Sequence, residues 1–493
     1  MNDDALIHKT RMKRRVIFWV VSCVAFFVAS CGRLDSSKTE IVDLHLEEVR
    51  DFSVKFTGHL NVSASDVSFT DVYILWSDEA TFDIASAKLR IVSLIDPDQN
   101  FSIVLPNLKA DTEYHYCYCV KLRSGVEVYG EVLSFKTLLP LYDKQTDLDI
   151  ASAIDLSSSG SANCYIISES GLYKFRTTKG NSQVSVGNVA SASMIWETFG
   201  TSVAPEKFDL ISGFCYKDGF IVFKTSDSFK EGNALLAAKD AKGEILWSWH
   251  IWFTDQPKEQ VYFNNAGILM DRNIGATSAT PGDVGALGLM YQWGRKDPFL
   301  GSSTTKFEDF TYAESTITWP AHVYSDLVYG TIEYTIAHPT TLILQEDDDK
   351  LDWYYSNIWF DEMRWLESTE PKTIYDPCPA GWRVPDGGEN GVWAKAIKKT
   401  YSFSCPYDTK KTGVNFSGMF GDDPIIWYPE TGYLVGRYRF ADGPERASYW
   451  SATKPYYGRA SDFSYQGRLA EINGCCGCIA AVPVRCSRDT YAQ

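Results

Sequence analysis

The chain has 493 residues, a formal net charge of -16 at pH 7 and an aromatic content of 14%. This length exceeds what one core usually supports and predicts roughly three domains. The acidic balance argues against nucleic acid as a partner. The aromatic content suits β-sheet cores and also surfaces that stack on sugars.

The N-terminal segment is predicted to direct export. Residues 9–15 are rich in lysine and arginine, residues 16–29 form an apolar run, and small residues lead into Cys31. This order is typical of a secretory signal peptide, and the run is too short for a stable membrane span. We therefore expect residues 1–30 to be a signal peptide that is removed.

Residues 28–31 (VASC) resemble a bacterial lipobox. The resemblance implies that the thiol of Cys31 is acylated, so that a lipid anchors the mature chain to a membrane. The alternative is an ordinary secretory signal in which the cysteine is incidental. Gly32 stands where an inner-membrane retention signal would have aspartate, which favours the outer membrane. We expect the cell surface, although the sequence does not fix the membrane face or decide between Met1 and Met12 as the start.

A short polar tether, residues 31–44, precedes the first predicted domain, residues 45–138. The passage 108–120 alternates apolar and polar residues with period two, which predicts a strand with its tyrosines facing inward. With the closing segment 134–137 it resembles the F and G strands of a fibronectin type III domain, and Tyr114 stands at the position of the tyrosine corner. The resemblance implies a spacer or binding module.

The cysteines of this domain are not expected to bridge each other. Cys117 and Cys119 lie two residues apart on one strand, so their side chains point to the same side. They therefore need other partners or remain thiols.

A second β-sandwich is predicted over residues 149–256, where apolar strands alternate with glycine and aspartate turns. Trp247, Trp249 and Trp252 follow one another on its last strand. They are interpreted as core residues, with a sugar platform as the alternative. His250 has no obvious companion, which argues against a metal or catalytic role.

The third region, residues 260–493, contains the most distinctive sequence motifs. Its blocks are 270–276 (MDRNIGA), 289–299 (LMYQWGRKDPF), 376–385 (DPCPAGWRVP), 449–453 (YWSAT) and 483–486 (PVRC). Together they resemble the Fibrobacter succinogenes major paralogous domain, a family common in surface lipoproteins of Bacteroidota. The resemblance implies a location and an architecture more than an activity.

The order of these blocks is also similar to C-type-lectin-like folds. That likeness implies an α+β head, with a helix after residues 381–385 and a disulfide between Cys378 and Cys486. It also raises a competing hypothesis, because the formylglycine-generating enzymes share this kind of fold and use copper and a cysteine pair. The cluster 475–478 (CCGC) cannot be matched to that catalytic pair, and a similar fold does not by itself imply the same function. We therefore expect no enzymatic activity and no catalytic residues.

Metal and cofactor sites are not predicted. The CxxC spacing in 475–478 lacks a second ligand pair, so structural bridging is favoured over zinc. The acidic run 346–349 with Asp352 lacks the spacing of an EF-hand and is interpreted as a solvated loop. The signatures of calcium-dependent sugar-binding lectins do not occur in the sequence.

One segment is predicted to carry recognition. About seventy residues separate the block 295–298 from the block at 376–385, and insertions usually form surface loops. Its aromatic residues are candidates for binding a glycan or a protein, with a buried satellite core as the equally weighted alternative. These candidate ligand-binding residues are Trp353, Tyr354, Tyr355, Trp359 and Trp365.

Taken together, the sequence predicts a mainly β, multidomain chain: a fibronectin type III-like sandwich, a second sandwich and an α+β, C-type-lectin-like head. The predicted function is that of a lipid-anchored surface binding protein or adhesin that contacts glycan or protein through its head, with a fimbrial or surface-assembly component as one option. The alternatives are a glycan-capture lipoprotein of a polysaccharide uptake system and an enzyme of the formylglycine-generating type.

Overall fold

A computed structural model describes residues 42–491 with internal gaps. The gaps are 50–52, 62–71, 93–98, 106–107, 110–111, 138–144, 202, 302–321, 347–349, 356–363, 399–401, 420–424, 436–438, 442–445 and 454–457. Cys31 and Trp359 therefore lie outside the described residues. The described residues are mainly β and form several sheets, as predicted. None of their helices is long and apolar enough to cross a membrane.

The first unit, residues 42–137 (the FN3-like unit), is a sandwich of two antiparallel sheets. Its strands β1 to β8 are Val42–Val49, Val54–Leu60, Val72–Ser77, Lys88–Ile91, Asn100–Leu105, Glu113–Lys121, Glu127–Tyr129 and Leu133–Lys136. One sheet has the order β1-β2-β5, and the other has the order β4-β3-β6-β7 with β8 also paired to β6.

The predicted tyrosines of strand β6 lie in the core of this unit. Tyr114, Tyr116 and Tyr118 are all buried, because alternate residues of a strand share one face. The hydroxyl oxygen of Tyr114 accepts a hydrogen bond from the backbone N–H of Lys109 at 2.7 Å, which is the contact of a tyrosine corner. The opposite face of β6 buries Cys117 and Cys119 as free thiols.

The second unit, residues 145–253 (the sandwich), also has two sheets. Its strands β9 to β16 are Ile154–Asp155, Cys164–Ile167, Leu172–Arg176, Ser191–Thr198, Ile211–Lys217, Phe220–Thr225, Gly232–Lys239 and Ile245–Phe253. The sheet orders are β10-β16-β15-β12 and β13-β14-β11-β9. The side-chain amide of Gln145 forms hydrogen bonds with the backbone of Ala192 on β12 and of Tyr216 on β13. Because these strands belong to different sheets, Gln145 connects the two sheets, and we begin the sandwich at this residue.

Strand β15 is buried on both of its faces, since all eight of its residues are buried. Leu236 faces the opposite sheet of the sandwich, whereas Leu235 belongs to a core that includes residues of the C-terminal region. On β16, Trp247 and Trp249 likewise face the opposite sheet, and Trp252 faces the C-terminal region. All three tryptophans are core residues, as predicted.

The third unit, residues 259–491 (the head), is built from short strands and two short helices, α1 and α2, at Ile332–Ala337 and Val392–Ile397. Strands β17 to β25 are Glu259–Tyr262, Gly267–Met270, Met290–Gln292, Val323–Tyr324, Ile343–Leu344, Trp382–Arg383, Ser402–Ser404, Tyr407–Asp408 and Gly413–Asn415. Strands β26 to β33 are Trp427–Pro429, Tyr433–Val435, Arg439–Ala441, Arg446–Trp450, Arg459–Gln466, Leu469–Gly477, Ala481–Pro483 and Ser487–Arg488. Helix α2 is the helix predicted after residues 381–385.

The head strands form five sheets. Their orders are β17-β18-β33-β22, β19-β32-β27-β28, β20-β21, β23-β31-β30-β29 and β24-β25-β26. A disulfide joins Cys378, which precedes β22, to Cys486, which precedes β33. This is the pair that the C-type-lectin-like resemblance implies.

Buried polar contacts connect the sandwich to the head. The side-chain amide of Asn163 donates to the carbonyl oxygens of Ile374 and Asp376 at 2.7 and 2.9 Å. The hydroxyl of Ser248 on β16 donates to the carboxylate of Asp297 at 2.6 Å. Because a buried polar group without a partner is costly, these contacts fix one arrangement of the two units, which share one core.

Candidate functional site

The prediction that the aromatic residues of the insertion bind a ligand is wrong for Trp353 and Trp365. The side chains of Trp353 and Trp365 are 1% and 0% exposed, so neither indole offers a face to a ligand. The physical reason is that both rings pack into the core that the head shares with the sandwich. The alternative interpretation, a core beneath the insertion, describes these two residues.

The two indoles are held in place by backbone carbonyls and by a third tryptophan. The Nε1–H of Trp353 donates to the carbonyl oxygen of Trp293 at 2.8 Å, and the Nε1–H of Trp365 donates to that of Tyr375 at 3.0 Å. The rings of Trp293 and Trp365 lie 5.6 Å apart. Each buried N–H of this pair is therefore satisfied, as buried polar groups require.

A buried arginine completes this aromatic base. The guanidinium of Arg364 lies 4.8 Å from the ring centroid of Trp293 and 5.0 Å from that of Trp353. It also donates from Nη1 to the carboxylate of Asp352 at 2.9 Å, so the charge is paired as well as stacked. Asp352 was one of the acids weighed for calcium, and in the structure it serves this arginine. We call Trp293, Trp353, Arg364 and Trp365 the tryptophan base.

The remaining predicted residues have mixed positions. Tyr354 is half-buried and its ring lies 5.4 Å from the guanidinium of Arg364. Tyr355 is half-buried, and its backbone N–H donates to the carbonyl oxygen of Gly330 at 2.8 Å. Trp359 lies outside the described residues. Among the described residues of the insertion, the exposed apolar surface is therefore not on Trp353 or Trp365.

That surface is a turn formed by residues 324–330, which we call the exposed turn. Leu327 is 75% exposed and Val328 is 62% exposed, while Tyr324 and Tyr329 are each 38% exposed. Exposed apolar residues scattered singly are normal, but here four lie within six positions of one turn, which makes the turn a candidate interaction site. The sequence contained a signal for it, since this apolar pair stands between Asp326 and Gly330, two turn-forming residues.

The exposed turn has a fixed backbone. The Oδ1 atom of Asp326 accepts from the backbone N–H groups of Val328 and Tyr329 at 2.8 and 2.7 Å, and its carbonyl oxygen accepts from the N–H of Gly330. The hydroxyl of Ser325 donates to the carbonyl oxygen of Trp353 at 2.8 Å. The exposed turn is thus bonded directly to the tryptophan base.

A second buried arginine secures the segment that follows the turn. Arg295, from the block 295–298, donates to the carbonyl oxygens of Thr341 and Pro339 at 2.7 and 3.2 Å. Helix α1 lies between this anchor and the exposed turn. At its end, burial and the nearby Arg295 lower the pKa of His338 to about 4, so His338 is neutral at physiological pH.

Two observations on the described residues bear on metal binding and on thiol chemistry. Among the described residues, no group of three His, Cys, Asp or Glu side chains lies close enough to hold a metal ion. Burial raises the pKa of the Cys478 thiol well above its usual range, which disfavours the thiolate that nucleophilic or redox chemistry requires. The exposed turn, with its uncovered apolar side chains, is the candidate site among the described residues.

The comparisons with known proteins add a weak likeness of fold. No protein-family model matches the chain, and no curated protein matches it. Among solved structures, the sensor domain of the anti-sigma factor RsgI4 in Pseudobacteroides cellulosolvens is 19% identical and covers 22% of this chain and 99% of its own, with a TM-score of 0.16. The chicken CNTN1 FN1–FN3 domains are 12% identical and cover 45% of this chain and 68% of their own, with a TM-score of 0.16.

A segment of two fibronectin type III domains from chicken tenascin is 11% identical and covers 43% of this chain and 97% of its own, with a TM-score of 0.18. The chain therefore has a weak structural similarity to fibronectin type III domains. At these scores we draw nothing about function from the likeness.

Proposed function

We propose that the chain is a lipid-anchored cell-surface binding protein or adhesin that recognises a glycan or a protein through its head. In this proposal the lipid on Cys31 is the membrane partner, and the outer membrane is the site of anchoring. The FN3-like unit acts as a spacer. The resemblance of the head to the Fibrobacter succinogenes major paralogous domain and to C-type-lectin-like folds supports the proposal.

The exposed turn is the single observation that carries the proposal. Soluble proteins rarely leave a contiguous apolar patch uncovered without a partner for it. The patch lies in the insertion between the blocks that resemble the family, where recognition is expected to vary. Because the exposed turn is bonded to the tryptophan base and to its own Asp326, its backbone is already held in place before a ligand arrives.

The proposal is tested by binding of the mature chain to a printed glycan array and to an array of purified extracellular proteins. A turn variant combines Tyr324→Ser, Leu327→Ser, Val328→Ser and Tyr329→Ser. A matched control removes exposed apolar side chains elsewhere in the head, with Val261→Ser, Ile425→Ser and Leu469→Ser. We expect the turn variant to lose the ligands that the control retains. Ligands retained equally by both variants would count against the proposal.

The anchor needs a separate test, since Cys31 lies outside the described residues. Cells that produce the chain are labelled with an alkyne-bearing fatty acid, and the chain is recovered from the membrane fraction. We expect label on the wild-type chain and its loss, with release from the membrane, in Cys31→Ser. An unlabelled wild-type chain would refute the lipid anchor and leave the binding proposal untouched.

A further inference from the structure

We infer that the ligand of the exposed turn is a protein, which receives Leu327 and Val328 in an apolar pocket edged by basic side chains. The inference rests on the proposed function, because it names the chemistry of the partner for the same surface. It chooses between the two ligand classes that the proposal leaves open. Exposure, polar bonding and charge each bear on that choice.

The aliphatic tip of the exposed turn suits burial in a pocket. Leu327 and Val328 at this tip are more exposed than the flanking tyrosines, so the most accessible part of the turn is aliphatic. Sites for sugars and other small ligands are usually pockets with convergent polar groups. An exposed aliphatic pair instead gains most from burial in an apolar pocket of a partner protein.

The aromatic rings of the exposed turn are already engaged with other rings. The ring of Tyr329 lies 5.1 Å from that of Tyr334 in an edge-to-face contact, and the ring of Tyr324 lies 5.1 Å from that of His322 in the same arrangement. Sugar recognition relies on an open aromatic face against which the C–H groups of the ring can stack. These contacts reduce the area of such faces, whereas they leave the aliphatic tip uncovered.

The polar side chains around the tip are occupied by the backbone of the head. Asp326 accepts from two N–H groups of the turn, and Ser325 donates to the carbonyl oxygen of Trp353. The hydroxyl oxygen of Thr331 accepts from the N–H of Tyr334. A sugar needs several convergent donors and acceptors for its hydroxyl groups. At this surface the nearest candidates already hold the turn together.

The acidic residues near the turn indicate which side chains surround the partner's pocket. Asp326 lies in the exposed turn, and Glu333 follows it in the first turn of helix α1. Both are exposed, and the whole chain carries a formal net charge of -16. A partner with basic side chains around its pocket would be attracted to this surface, and an acidic partner would be repelled. The association should therefore be faster at low salt than at high salt.

The test compares single variants of the mature chain on the glycan and protein arrays and then measures kinetics for each protein bound. We expect Leu327→Ser or Val328→Ser to weaken binding to a protein by about tenfold or more, because the anchor of an interface is lost. Leu469→Ser, which removes a leucine that is 53% exposed from another part of the head, should leave the affinity unchanged. Glu333→Gln should lower the association rate constant about twofold at low salt and have no effect at high salt.

The outcomes separate the inference from the proposed function. Binding to glycans that needs Tyr324 and Tyr329 but tolerates Leu327→Ser would overturn the inference and support the proposed function. Ligands of either class that tolerate every turn variant would overturn both, as would the absence of any ligand on both arrays. Circular dichroism of each variant verifies that it folds, which we expect because the substituted side chains are exposed.

Discussion

The FN3-like unit and the sandwich with its head illustrate two ways of burying a β-sheet. In the described residues, the core clusters of the FN3-like unit contain only its own side chains. Strand β15 of the sandwich instead buries one face against its partner sheet and the other against the head. The first unit therefore has the contacts of an independent domain, whereas the sandwich and the head depend on each other.

The same contrast recurs at smaller scale within the head. The tryptophan base is buried, whereas the exposed turn, which is bonded to it, presents aliphatic side chains to solvent. Large aromatic residues were the obvious candidates for recognition, but their size and apolarity also make them the best core material. Trp353 and Trp365, the predicted tryptophans that the structure describes, are buried in the shared core and are not part of the exposed turn.

The largest expected effect concerns the head expressed alone. Residues 260–493 without the sandwich would expose the apolar face that packs on strands β15 and β16, so we expect no cooperative unfolding transition in calorimetry and a weak near-ultraviolet circular dichroism signal. Residues 145–493 should unfold cooperatively, and residues 42–137 should do so on their own. A head that unfolds at the same temperature with and without the sandwich would contradict the mutual dependence of the two units.

Removal of the disulfide is the next largest change. Cys378 and Cys486 are separated by 108 residues, and closing a loop of that length stabilises a fold by about 4–5 kcal/mol in the chain-entropy model. We expect Cys378→Ala with Cys486→Ala to lower the free energy of unfolding of the sandwich and head by that amount in denaturant titrations. Cys405→Ala, which removes a buried free thiol, is the control and should cost less. Equal losses would show that packing and not the cross-link is responsible.

Substitutions in the tryptophan base and the exposed turn should separate the two. Trp353→Ala leaves a cavity in the shared core and should cost about 3–5 kcal/mol of unfolding free energy. Leu327→Ser, at an exposed position, should change it by no more than about 0.5 kcal/mol. Chemical denaturation measures both. A strong destabilisation by Leu327→Ser would mean that the turn is part of the core.

The smallest expected effect is a dependence on pH near the end of helix α1. Burial lowers the pKa of His338 from 6.5 to about 4, so the unfolded chain binds a proton more readily than the folded one in that interval. Stability from this group is complete above pH 6.5 and is lost as the pH falls towards 4, at about 1.4 kcal/mol per pH unit at most.

The advantage of the wild type over His338→Asn should therefore shrink on acidification. Unfolding free energies of both chains at pH 7, 5.5 and 4.5 give the difference directly, and the other titrating groups cancel in the comparison. A constant difference across this range would show that His338 titrates normally.

The sequence by itself determined the features that depend on local pattern. Period-two alternation placed the tyrosines of strand β6 inside the FN3-like unit, because neighbouring residues on a strand must face opposite sides. The corner position of Tyr114 followed from the resemblance to a fibronectin type III domain. The apolar strands at Trp247, Trp249 and Trp252 were likewise sufficient to predict a core.

Only the tertiary structure decided what covers each surface. Strand β15 is apolar on both faces, but no local pattern says that the second face meets the head. Trp353 and Trp365 lie in an insertion, where exposure was as reasonable as burial, and distant contacts with Trp293 and Arg364 decided the matter. The tip formed by Leu327 and Val328 is exposed because no described element packs over it, and solvent exposure is a property of the whole fold.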